Sequence, residues 1–136
     1  MISDVQVERY EALNPLLQAM FRDFQELAKK KPDGALNKRK VHIVNRLLQD
    51  LHKLLDKEPD RAYLDLLDED DLPQNSDVVL ILGQAVAAMR SFYRRHRDYS
   101  EEHGEDVWVT EEGEVLGEED DEDDIEDEEG EGQKSR

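Results

Sequence analysis

There is no cysteine in this 136-residue chain. That excludes a disulfide framework and thiolate metal sites, and it fits a reducing, cytoplasmic setting. Long apolar runs are missing too. The longest, VVLILGQAVAAM at residues 78–89, is twelve residues, against the ~20 that a membrane-spanning helix needs. The first residues, MISDVQVERYEAL, have neither the basic start nor the apolar stretch of a signal peptide. No membrane partner is expected.

Reactive constellations are equally sparse. The histidines are His42, His52, His96 and His103, and four residues on from the first two stand Arg46 and Asp56. None therefore has a helical partner at metal-ligand spacing. No serine or threonine sits in a nucleophile elbow. The acids of DEDDLPQNS at 68–76 lack the positions and the glycine of an EF-hand. No catalytic, cofactor-binding or metal-ligating residue is assigned, and neither enzymatic activity nor a cofactor is expected.

What the chain has is charge, unevenly placed. It carries 36 acidic and 18 basic residues, a net of −18. Residues 101–136 alone hold 19 acids and only Lys134 and Arg136, a net of −17, and twelve of the sixteen residues in GEEDDEDDIEDEEGEG at 117–132 are acidic. Residues 1–100 are nearly balanced, at −1. Low hydrophobicity with high net charge predicts disorder for 117–136.

Helical signals fill the first hundred residues. Ser3 and Gln6 form a capping box, with Ile2 placed to staple onto Val7. Tyr10, Leu13, Leu17, Met20, Phe24 and Leu27 then follow at steps of three and four. The stripe keeps its phase across Pro15, so one kinked helix is predicted to about Lys31. A second helix starts at Asn37 and runs to about Lys57 on Val41, Val44, Leu48, Leu51 and Leu55. A short helical turn is expected at 60–67. Asn75 or Ser76 caps a third helix running to about Asp98 on Val78, Leu82, Ala85, Met89 and Phe92. After residue 100 only VWVTEEGEVL at 107–116 has β character, enough for a weak hairpin at Glu112-Gly113 or for a binding strip. The predicted fold is all-α: residues 1–100 form a small bundle of three long helices plus a short helical turn. A linker, 101–116, and a disordered acidic C-terminal tail, 117–136, follow.

Three surfaces are candidates for function. The third helix is apolar on more sides than a surface helix needs. Either it is wrapped by the rest of the bundle, or Leu80 and Val86 meet a second chain. Two basic clusters, Lys29, Lys30, Lys31, Lys38, Arg39, Lys40 and Arg46, then Arg90, Arg94, Arg95 and Arg97, would share one pole of an up-down-up bundle. Cations at helix C-termini complement the macrodipole and account for part of this. Lys38, Arg39 and Lys40 stand at a helix start, where the macrodipole gives no reason for them. Trp108, between Val107 and Val109 amid acids, is either a partner anchor or a side chain packed on the bundle.

The expected function is a non-enzymatic protein-interaction module, an accessory or regulatory subunit that docks on a partner protein and uses its acidic tail for electrostatic modulation. The alternatives are a nucleic-acid-associated protein whose basic pole the tail occupies, or an acidic DNA-mimic inhibitor. A homo-oligomer through the third helix is a further partner choice.

Overall fold

Three helices form where the apolar stripes put them. The computed structural model describes residues 1–117. The acidic tail predicted to be disordered therefore lies outside the described residues, apart from Gly117. Helix α1 spans Asp4–Lys30. Its capping box is reciprocal: the Gln6 N–H donates to Ser3 Oγ at 3.2 Å, and the Ser3 N–H donates to Gln6 Oε1 at 3.0 Å. Pro15 lies inside this one helix on its exposed side, where the lost backbone hydrogen bond faces water. Helix α2 spans Lys38–Leu54, and Asn37 Oδ1 accepts the Lys40 N–H at 2.8 Å. Helix α3 spans Asn75–Arg95. Its cap is Gln74, one residue earlier than predicted, held by Asp77, whose carboxylate accepts the Gln74 N–H at 2.9 Å.

Helix α2 returns antiparallel to α1, so Leu54 ends beside the start of α1, where Gln6 Nε2 donates to its carbonyl at 3.4 Å. Residues 55–74 then travel back along the bundle as a connector containing a 3-10 turn at Pro59–Tyr63. The connector is pinned midway. Asn45, buried in α2, donates to the Leu67 carbonyl at 2.9 Å and accepts the Leu67 N–H at 2.8 Å. This bidentate pair satisfies two backbone groups that burial would otherwise leave costly. Leu64 and Leu67 join the core. At the far end the Leu36 N–H donates to Pro73 at 2.9 Å, and the Asn75 N–H to Gly34 at 2.8 Å. Helix α3 thus begins beside the end of α1 and runs antiparallel to it, parallel to α2.

The all-α expectation is wrong: the chain is α+β. Three antiparallel strands, β1 (Arg97–Ser100), β2 (Glu105–Thr110) and β3 (Gly113–Val115), form a sheet in the order β1-β2-β3. Residues 101–116, expected as a linker, supply β2 and β3. The hairpin turn is Glu111-Glu112, and Gly113, which opens β3 directly after it, has a φ of 132° that suits glycine. A lone hairpin is marginal in water. Here a third strand and a helix supply what it lacks. Ile2 bridges Thr110, and the Glu111 N–H donates to the Ile2 carbonyl at 2.8 Å, so the first residues extend the sheet edge. Trp108, 1% exposed, packs on α1 and α3 with ring centroids 5.0 Å from Tyr10, 5.4 Å from Tyr93 and 6.0 Å from Phe92. Among the described residues, no helix is long and apolar enough to cross a membrane.

Candidate docking surfaces

The long connector decides where the basic residues go. Because α3 starts at the far end, its C-terminus lies at the opposite, near end beside the sheet. The eleven cations expected at one pole are therefore split. Lys29, Lys30, Lys31, Lys38, Arg39, Lys40 and Arg46 lie exposed on the far half of α1 and α2. Lys29 pairs with Glu26 at 3.5 Å. Among the described residues the other six have no acidic partner.

Of the four arginines of the near end, Arg95 and Arg97 are built into the structure instead. Arg95 forks between Glu58 Oε1 at 2.6 Å and Asp60 Oδ1 at 3.1 Å. His96 Nε2 reaches the other Glu58 oxygen at 2.9 Å. Arg97 donates to Tyr93 Oη at 2.5 Å and lies over the rings of Tyr93 and Trp108, 4.6 and 5.5 Å from their centroids. Arg90 is half-buried and Arg94 exposed on the last turns of α3. Trp108, read as either a partner anchor or a side chain packed on the bundle, is a core residue, and Val86 is buried as well. Leu80 is 63% exposed.

An apolar groove of about 540 Å³ runs between α1 and α2. Leu16, Leu27 and Ile43 stand exposed along it, and Met20 is half-buried in its floor. Lys40 and Arg46 rim it, together with Asp23 and Asp50. It arises because Met20 and Leu27 of the predicted stripe are left partly open between α1 and α2, and Leu16, outside that stripe, adds to them. The periodicity that placed the helix in the core did not include Leu16. The signal was available: Leu16 follows Leu13 at i+3 and precedes Met20 at i+4.

The sheet also brings together a cluster that helical spacing missed. Ligand atoms of Glu102, His103 and Glu114 lie within 4.8 Å of one another, all three residues exposed. Ser100 Oγ donates to Glu114 at 2.8 Å and lies 3.2 Å from His103 Nδ1, and His103 reaches Glu114 at 3.3 Å. Hydrogen bonding within the turn accounts for this closeness, and no metal site is assigned there.

Comparison with known proteins gives no match: no family model fits the chain, and no curated protein or solved structure resembles it significantly.

Proposed function

We propose that this chain is a non-enzymatic interaction module whose α1–α2 groove docks an apolar, acid-flanked segment of a partner protein, with the acidic tail acting as an electrostatic competitor for the same face. The observation that carries this reading is the groove itself, with its exposed Leu16, Leu27 and Ile43 rimmed by Lys40 and Arg46, which have no acidic partner among the described residues. A trough along two helices with an apolar floor and charged rims suits a helix laid lengthwise. Small ligands are usually held by convergent polar groups, which this trough does not offer. The seven far-end cations suit carboxylates, and the lack of cysteine supports a cytoplasmic setting.

Tail geometry supports the regulatory half of the proposal. The described chain ends at Gly117, packed against the start of α1. A Cβ there would lie 2.5 Å from Trp108 Nε1 and 2.6 Å from Glu11 Oε2, so only glycine fits this exit. From Glu11 to Lys30 the helix rises about 28 Å. Nineteen residues follow Gly117, and a chain of that length can span at most about 60 Å. The acids can therefore cover the far-end cations in cis.

The test is binding of a labelled peptide with leucines at helical spacing flanked by glutamates. We expect binding that Ile43→Asp abolishes while the melting temperature stays unchanged, and that deletion of 118–136 strengthens. Peptide binding indifferent to Ile43→Asp overturns the docking proposal. If the tail-deleted chain ignores the peptide but binds duplex DNA with a steep salt dependence, the nucleic-acid alternative replaces it.

A further inference from the structure

We infer a second docking surface on the opposite side of α2, in the trough between the connector and the first half of α3, fitted to a cationic amphipathic segment of another protein. The trough measures about 480 Å³. Leu66, Leu72 and Leu80 are exposed in it, and Ile81 is half-buried at its base. Its other notable residues are Asp65, Asp68, Asp71 and Asp77, and no lysine or arginine lines it. Among the described residues none of these four carboxylates has a basic partner.

Neither component explains itself alone. An acidic solubilising patch has no need of leucines open to water, and leucines destined for a core would not be ringed by carboxylates. Together they present what a cationic amphipathic helix or strand lacks: apolar area for its apolar row, and negative charge for its lysines and arginines. The wall is also pre-formed, which lowers the ordering cost of binding. Asn45 fixes Leu67 from below, Pro73 is tied to Leu36, and Asp68 accepts the N–H groups of Asp70 and Asp71 at 2.8 and 3.2 Å. A second copy of this chain is the weaker occupant. Its own basic face has the required chemistry, but each copy brings a net charge of −18, and like charge opposes the contact. This surface stands on observations separate from the α1–α2 groove. A chain able to hold an acid-flanked segment on one side and a base-flanked one on the other would bridge two partners.

The experiment uses the full chain, isotope-labelled, titrated with a leucine–lysine peptide of about 18 residues, five helical turns. We expect saturable amide shifts at 65–72 and 77–84. Leu80→Asn, neutral and at an exposed position, should weaken binding about tenfold without lowering the melting temperature. The double variant Asp68→Asn with Asp71→Asn should weaken it as well, and added salt should do the same. Shifts confined to 118–136 would mean that the peptide follows the acidic run alone, and would overturn the proposal. So would binding that Leu80→Asn leaves untouched. Sedimentation showing a dimer without peptide, lost in Leu80→Asn, would replace the cationic partner with a second copy.

Discussion

The two ends of the molecule use the same residue types for opposite purposes. At the near end, arginines are consumed by structure: Arg95 holds the connector through Glu58 and Asp60, and Arg97 lies on Tyr93 and Trp108. At the far end, six of seven cations have no acidic partner among the described residues, and leucines face water beside them. Helix-dipole arguments apply equally to Lys29–Lys30 and Arg94–Arg95, both in last helical turns. They do not distinguish the ends. Aromatic and carboxylate neighbours do, because they turn a solvated charge into a packed one.

The largest effect that would break this comparison is Trp108→Ala. The ring fills the space between Tyr10, Phe92 and Tyr93 and is the only tryptophan of the chain. Truncating a buried aromatic costs about 3–5 kcal/mol. For a domain near this size that lowers the melting temperature by roughly 15–25 °C, measured by circular dichroism at 222 nm. A shift within a few degrees would mean that the sheet is an appendage rather than part of the core.

A pair of variants sharpens the contrast among charges. Glu58→Gln removes the carboxylate that Arg95 and His96 share. Hydrogen bonds to charged groups contribute about 1.5–3 kcal/mol. Arg95 is partly exposed and keeps Asp60, so the expected loss is about 1–2 kcal/mol. Lys30→Gln, at the far end, should change stability by no more than about 0.5 kcal/mol. Urea unfolding of the two variants in parallel checks this. Equal losses would show that the far-end cations carry structural load after all.

How much of this was legible in the sequence follows from the same physics. Helices α1, α2 and α3 were readable because four or more turns of apolar periodicity outweigh local noise, and the Ser3–Gln6 and Asn37 caps mark their starts. The sheet was hidden because its strands are short and polar: Arg97-Asp98-Tyr99-Ser100 buries only Ser100, and Gly113-Glu114-Val115 buries none fully. What holds them is Trp108 against rings about 15 and 100 residues away in sequence, and no local pattern shows that. The direction of α3 was misread for a different reason. An up-down-up bundle needs a short connection between α2 and α3, the common case, but residues 55–74 retrace α2, whose 17 residues rise about 26 Å. Leu64 and Leu67, buried in an otherwise acidic stretch, were the available sign that this segment packs rather than loops. The split of the basic clusters follows from that one connection.

The smallest effect concerns the acidic wall at the far end. Asp68 accepts two N–H donors from its own loop, Asp70 and then Asp71, and these hold its carboxyl below the usual aspartate range. The carboxylate form is the one the loop stabilises. Its contribution is therefore full above the unfolded-state value and is lost as pH falls through the lower folded one. The group is open to solvent, so the global melting temperature should barely respond. The local signature should be clear. In a carboxyl carbon titration, Asp68 should give a lower midpoint in the folded chain than in the same chain in urea. The Asp70 and Asp71 amide shifts should move with that midpoint and not with those of other acids. Asp68→Asn should remove the shared midpoint and leave the Asn45–Leu67 pair intact, since that anchor depends on α2 and not on the loop's charge. A folded midpoint at or above the unfolded one would show that the turn does not hold Asp68. The trough beside Leu80 would then lose the fixed negative wall that distinguishes it from the basic groove across α2.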